Sequence, residues 1–176
     1  FAYFSEELLR EEAPEHLAVL EAAALLGQAT PDELCEVAEV PGGVALVRQV
    51  AARGLLLADD GDRLHAPTLW RGFFRRELAH RIGEQAAIAV RRRAAGVLAR
   101  ARRVDEAIDL VMEAGDFEAA AFLLARAGRI LLGIGRRRLV LEWLGRLPPE
   151  LEARRPELTM QHGMALLGSD PDRATA

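Results

Sequence analysis

The sequence predicts a mainly all-α chain in two parts: three short helices closed by a β-hairpin, then an array of paired helices. Three observations carry this expectation. Apolar residues recur at helical spacing through most of the 176 residues. Gly and Pro punctuate that pattern every few turns, and Asp59-Asp60-Gly61-Asp62 separates two short apolar runs.

The elements run in order from the N-terminus. Phe1 to Arg10 is amphipathic, with Phe1, Phe4, Leu8 and Leu9 able to share a face. Pro14 suits the first turn of a helix to about Leu26, with Leu17, Leu20, Ala24 and Leu25 inward and Gly27 ending it. Thr30 is a good N-cap, Pro31 fits the first helical position, and Glu33 favours the helix N-terminus. That helix reaches about Val40, burying Leu34, Val37 and Ala38. After the Pro41-Gly42-Gly43 turn, a third helix runs Val44 to Arg53, with Val44, Val47, Val50 and Ala51 on one side and Gly54 in the C-cap role.

Leu55-Leu56-Leu57-Ala58 is too brief for another helix. The acidic turn comes next, and Arg63-Leu64-His65-Ala66 returns as a strand. Three short helices and then a hairpin is the order of a winged helix.

Past Pro67 the chain stays helical. Leu69, Trp70, Phe73, Phe74 and Leu78 form an aromatic stripe to about Ile82. A helix from Glu84 to Ala101 presents Ala87, Val90, Ala94, Val97 and Leu98. The next, Val104 to Ala114, presents Val104, Ala107, Ile108 and Val111 and stops at Gly115. One from Asp116 uses Phe117, Ala120, Ala121 and Leu124 and is expected to end at Gly128. Arg138 to Leu147 carries Leu139, Trp143 and Leu144 before Pro148-Pro149 breaks it, and a last complete helix runs Pro156 to Leu167, closed by Gly168. Short helices with short connections predict antiparallel pairs stacked as a tetratricopeptide-like solenoid, without a clean match to that repeat's consensus. Ser169-Asp170-Pro171-Asp172 reads as a fresh helix start, so the array is expected to be truncated at its C-terminus. The expected domains are residues 1–82, a winged helix with flanking helices, and residues 83–176, a helical-repeat arm.

Charge is unevenly placed. Phe1–Asp62 holds 3 basic and 13 acidic residues, Arg63–Arg103 holds 11 and 2, and the remainder 9 and 12. Acid followed by base suggests two functional faces. No apolar run approaches the ~20 residues of a membrane helix, the first residues lack a signal peptide's pattern, and Cys35 alone excludes an internal disulfide. A cytoplasmic location is expected.

Catalytic chemistry finds little footing. A P-loop needs a lysine, and the chain has none. One Cys and four scattered His supply no zinc cluster. Cys35 falls on an apolar helix face and reads as a core thiol, and no nucleophile–base pair stands at a recognisable spacing. No enzyme activity, catalytic residue or metal is expected in this chain.

Duplex binding would need Arg or Lys on the recognition helix and wing. The third helix offers only Arg48 and Arg53. The helix before it carries Asp32, Glu33, Glu36 and Glu39, and the wing tip is acidic. That surface repels a polyanion. The clusters Arg91-Arg92-Arg93, Arg100-Arg102-Arg103 and Arg136-Arg137-Arg138 lack interleaved aromatics and suit partner docking or solvation. His65 ends the return strand just ahead of a helix, where an imidazole and backbone amides could meet an anion held by a neighbouring domain. Spacing alone equally accommodates an ordinary strand-end histidine.

In their order, these segments resemble the STAND-class signalling ATPases, in particular large bacterial transcription regulators of the maltose-activator type. Phe4-Ser5-Glu6-Glu7-Leu8-Leu9 resembles the helix leaving the ATPase core; Ala18 to Cys35 resembles the start of the winged helix; Arg53-Gly54-Leu55-Leu56-Leu57 resembles its passage into the wing. Arg63-Leu64-His65 and the Phe-rich helix resemble the family's His-containing strand and its next helix. Asp105-Glu106-Ala107-Ile108, Ala114 to Ala120, and Trp143 to Pro148 resemble the start of the sensor arm. The family's His-Pro-Leu-Phe reads His65-Ala66-Pro67-Thr68-Leu69-Trp70 here, with the proline one residue later.

The resemblance implies a switch-and-sensor fragment. A nucleotide-binding core preceding it would hold ATP or ADP, His65 would sense the nucleotide, and the arm would take an effector or protein partner. The alternative expectation is a helical-repeat scaffold for protein partners, and a third is a DNA-binding winged helix.

Overall fold

Proline at the first helical position and a run of small and branched apolar residues produce the first helix, α1 (Pro14–Leu26). In the computed structural model, which describes residues 12–58 and 62–167, α1 is buried almost all round. Leu17, Val19, Leu20 and every residue from Glu21 to Leu26 lie in the core. The expected one-sided face of Leu17, Leu20, Ala24 and Leu25 is therefore only part of what it buries, because α1 packs against three other helices.

Gly27, at φ 74°, ends α1, and the chain enters a strand that the sequence pattern does not predict, β1 (Gln28–Ala29). Thr30 then caps α2 (Pro31–Ala38) with a reciprocal pair of bonds. Its hydroxyl accepts from the Glu33 N–H at 3.3 Å, and the Glu33 carboxylate accepts from the Thr30 N–H at 2.8 Å, an arrangement that stabilises a helix start by about 1 kcal/mol. Glu39, left-handed at φ 50°, stops α2 just short of the expected end at Val40. Leu34 and Val37 are buried as expected, whereas Ala38 is half-exposed.

α3 (Gly43–Ala52) buries Val47 and Val50, while Val44 and Ala51 are half-buried. Gly54 comes next at φ 76°. β2 (Leu57–Ala58) and β3 (Leu64–His65) complete a three-stranded antiparallel sheet in the order β1-β3-β2. Gln28 and Leu57 both register with His65, and Ala29 and Ala58 with Leu64. The Phe1–Arg10 stretch, the Asp59–Gly61 part of the turn, the Leu69 side chain and the Ser169–Asp172 start lie outside the described residues.

α4 (Thr68–Ile82) buries Phe74 and Leu78 and keeps Trp70 and Phe73 half-buried. Their rings form a group, Trp70–Phe73 at 6.4 Å and Phe73–Phe74 at 5.4 Å, both edge-on. Arg81 of α4 forms a bidentate ion pair with Glu21 of α1, whose residue exposure is only 4 %. α5 (Glu84–Arg100) buries Ala87, Ala94, Ala95, Val97 and Leu98, with Val90 half-buried. Its Arg93 donates through Nε and Nη2 to the Val37 carbonyl, 3.2 Å each, and pairs with Glu39 at 3.1 Å. A guanidinium thus caps the C-terminus of α2, where carbonyls lack intrahelical partners.

The described residues fall into two compact units that divide between Leu98 and Ala99. The expected boundary after Ile82 lies inside the first. The Arg93 cap and an Arg91 bond to the Arg75 carbonyl at 3.2 Å tie most of α5 to the helices before it.

The second unit holds α6 (Val104–Glu113), α7 (Phe117–Gly133), α8 (Arg137–Arg146), α9 (Pro149–Ala153) and α10 (Pro156–Leu167). Asp116 caps α7 by accepting from the Ala119 N–H at 3.3 Å. Gly128 does not end α7, contrary to expectation: the helix continues for another turn to Gly133. Gly128 is instead a buried point of close approach, where an added Cβ would lie 2.1 Å from Gln161 Oε1 on α10. Pro148-Pro149 breaks α8 as expected, but the second proline starts the unanticipated turn of α9.

Trp143, fully buried, donates from its indole N–H to Asp109 at 2.7 Å and so joins α8 to α6. Val140 and Leu144 share its side, while Leu139, expected inward, is half-buried. α7 packs on α6, α8 and α10, and α10 also packs on α8. Among the described residues, no helix is long and apolar enough to cross a membrane.

Candidate functional site

His65 ends the middle strand of the sheet, flanked by β1 on one side and β2 on the other. Two-sided backbone pairing fixes its Cα more firmly than an edge position would. The residue is half-buried, yet Nδ1 is out of contact with solvent and has no hydrogen-bond partner among the described residues. A buried ring nitrogen without a partner is uncommon and invites a functional reading. Ala66, buried, and Pro67 lead directly into α4.

The start of α4 adds to this. Pro67 stands at the cap without a side-chain bond, and the first turn has no acidic residue. The first N–H groups of a helix lack intrahelical partners and carry its positive end, which favours an anion nearby. Arg63, two residues before His65, donates to the Gln28 carbonyl at 3.1 Å and stands 3.6 Å from the Glu33 carboxylate. The strand end thus places His65 three residues ahead of a helix start, with Arg63 engaged elsewhere.

The surface expected to disfavour DNA is poorer in free cations than the sequence alone indicates. Of the two arginines on the third helix and its end, Arg53 pairs with Glu12 at 2.7 Å and approaches His16 Nδ1 at 3.0 Å. Glu12 also meets His16 Nδ1 at 2.8 Å, closing a three-residue network. Asp32 and Glu36 of α2 are exposed, as is Glu39 at its end, where it pairs with Arg93. The Arg91-Arg92-Arg93 cluster is no free basic face either: Arg91 and Arg93 hold backbone carbonyls within the first unit.

Cys35 is half-buried on α2. Burial pushes its thiol up from the ordinary value, and the Asp32 carboxylate adds to the effect. Neither cause favours a nucleophilic thiolate. Among the described residues, no group of three His, Cys, Asp or Glu side chains is placed to hold a metal ion.

The second unit contains a feature that no sequence pattern announces. An open groove of about 490 Å³ runs between α7 and the turn joining α5 to α6, floored by Ile130, Leu131, Ile134 and Val104 and rimmed by Arg100, Arg102 and Arg136. Arg102 sits in that turn with φ 61°, a left-handed conformation uncommon outside glycine. Ile130 and Ile134, at i and i+4 on α7, are each 66 % exposed. Their spacing is visible in the sequence, but a helix ending at Gly128 removes them from any helical face.

No protein-family model matches the chain, and no curated protein matches it either.

Proposed function

We propose that this chain is the switch-and-sensor segment of a STAND-class, ATP-dependent transcription regulator, with residues 12–82 containing a winged helix and the later helices beginning a tetratricopeptide-like arm. The observation that carries the reading is the order helix, strand, helix, helix, strand, strand, with the last strand between the other two. This order supports the winged-helix reading, and β1 adds a strand to the pattern of three helices and a hairpin. The acidic α2 and the engaged Arg53 favour a protein face over a DNA backbone as its docking surface.

In this reading the module lies against a nucleotide-binding core elsewhere in the parent protein, in the cytoplasm. The His65 imidazole faces the phosphates of bound ADP, and the α4 start contributes backbone dipoles. The arm takes an effector or protein partner, and binding there shifts the protein between an ADP-held resting form and an ATP-held active form. Such coupling requires each ligand to make different contacts in the two states. The chain itself performs no catalysis.

The test is a titration of the parent protein with ADP, comparing it with its His65→Ala variant. Weakened ADP binding with an unchanged fold is expected, and unchanged affinity would remove His65 from the site. Parent sequences without an upstream P-loop would overturn the switch reading as a whole.

One observation favours a second reading, a scaffold for protein partners. Met160, Met164 and Leu167 of α10 recur at i, i+4 and i+7 and are all exposed. Under that reading, nucleotide has no effect on the protein at any concentration, whereas the second unit retains partner binding.

A further inference from the structure

We infer that the groove in the second unit is a binding site for a small amphipathic organic acid, whose carboxylate meets Arg102 and Arg136 and whose apolar body covers Ile130 and Ile134.

The volume, about 490 Å³, falls in the ordinary range for small-molecule sites, roughly 300–1,000 Å³. Its floor and rim differ in chemistry. The floor is aliphatic, and its two isoleucines, Ile130 and Ile134, stand largely in water. Burying them against a hydrocarbon body is favourable at about 25 cal/mol per Å² of apolar surface removed from water.

The rim holds three arginines against one carboxylate, Asp105. Neither Arg102 nor Arg136 forms a side-chain ion pair among the described residues. Nearby Arg103 differs, since it holds Glu106 at 2.6 Å.

Electrostatics at α8 points the same way. Arg136 is its N-cap residue, Arg137 and Arg138 open its first turn, and no acidic residue is present there. Cations are misplaced at the positive end of a helix. A carboxylate settling beside Arg136 relieves that repulsion while an arginine fork binds it through two parallel hydrogen bonds. Apolar floor and cationic rim together select against two simpler ligands. An inorganic anion leaves the isoleucines wet, and a neutral hydrocarbon leaves the Arg102 and Arg136 charges unanswered.

The inference deepens the proposed function by giving the effector a chemical class. It rests on that reading only for the consequence of binding, because occupancy of the groove is measurable whether or not the parent protein responds to nucleotide.

The test uses the full chain with its isoleucine δ1 methyls labelled for NMR and decanoate as probe, below its micellar concentration. Five isoleucines give five signals. Ile130 and Ile134 should shift saturably, while Ile82 and Ile88 of the first unit stay in place. Decanol, which lacks the charge, and acetate, which lacks the body, should each bind at least about ten-fold more weakly. The double variant Arg102→Ser/Arg136→Ser should weaken decanoate by a similar factor with its far-UV circular dichroism unchanged; Met164→Gln, on the exposed face of α10, should leave binding as it was.

The inference is overturned by unmoved Ile130 and Ile134 signals, by decanol binding as tightly as decanoate, or by full affinity in the double variant. An acidic amphipathic peptide that shifts both methyls where decanoate does not would assign the groove to a protein partner and would equally overturn it. All of these leave the nucleotide titration of His65 unaffected.

Discussion

Gly128 of α7 and Gln161 of α10 occupy adjoining space that leaves no room for one more carbon. A Cβ at position 128 would lie 2.1 Å from Gln161 Oε1 and 2.6 Å from its Cδ. The amide is 1 % exposed, and its Nε2 donates to the Ala125 carbonyl at 2.9 Å, one turn before Gly128. The glutamine thus lies across the backbone of α7, and the missing side chain is what admits it.

Gly128→Ala is accordingly expected to destabilise the chain, although alanine is the better helix former by ~1 kcal/mol. The buried amide must leave its place, losing its bond to Ala125, or the two helices must separate. Overpacking of this kind costs about 1–3 kcal/mol, so a net loss of up to roughly 2 kcal/mol is expected. Urea denaturation measures it. Combining it with Gln161→Ala, which vacates the space, should restore part of the loss as a favourable coupling energy. A single variant as stable as the parent would show that the glutamine moves aside freely.

Arg93 supports the end of α2 from a helix 56 residues later in the chain. Arg93→Ala should destabilise the first unit by about 1–3 kcal/mol, the range for leaving a buried hydrogen-bonding partner, here the Val37 carbonyl, unsatisfied. Arg93→Lys should recover less than half, because an ammonium cannot span the Val37 carbonyl and the Glu39 carboxylate as the planar fork does. Hydrogen exchange supplies the local readout: faster exchange at the Glu39 amide, which donates to the Cys35 carbonyl at the end of α2.

The Glu21–Arg81 pair makes a sharper asymmetry. Arg81→Ala strands a carboxylate in the core and should remove about 2–4 kcal/mol, reduced from the fully buried range because Arg81 is partly exposed. Glu21→Gln/Arg81→Met removes both charges while keeping most of the volume, and should fall within about 1 kcal/mol of the parent. Thermal melts of the single and double variants test this. A double variant no more stable than Arg81→Ala would mean that packing, not charge, explains the loss.

The raised Cys35 thiol predicts a direction in pH. The native chain holds the proton more tightly than the unfolded chain does. The associated stability is complete below the unfolded thiol pKa, about 8.5, and is lost as the pH rises through the native value. Iodoacetamide should modify native Cys35 more slowly than the urea-unfolded chain at pH 8, with the gap narrowing at higher pH. Asp32→Asn should speed the native reaction modestly, since burial is the larger cause.

Much of the fold is legible in the sequence because local chemistry settles it. Thr30 reads as an N-cap and Glu33 as a charge suited to a helix start, and the structure has both, joined reciprocally as a capping box. Sequence patterns mislead where a residue has two possible uses. Glycine both ends helices and admits close neighbours, and position 128 reads as the first use when Gln161, 33 residues away, makes it the second. β1 escapes notice because two residues cannot show an alternation; only the approach of β3 makes Gln28–Ala29 a strand. The candidate site divides in the same way. His65 stands out from its place before a helix, while the groove rim joins Arg102 to Arg136 across 34 positions and has no local signature.

By itself, the sequence determined where most of the helices begin, how the charge is divided along the chain, and that the lysine of a phosphate loop is missing from these 176 residues. Those are properties of neighbouring side chains and of composition, which survive in any arrangement of the chain. Tertiary structure alone decided that α1 is buried on nearly every side, that Gly128 is a contact and not a stop, and that separate arginines share the rim of one apolar groove. Burial and proximity are properties of pairs distant in sequence, and only packing brings such pairs together.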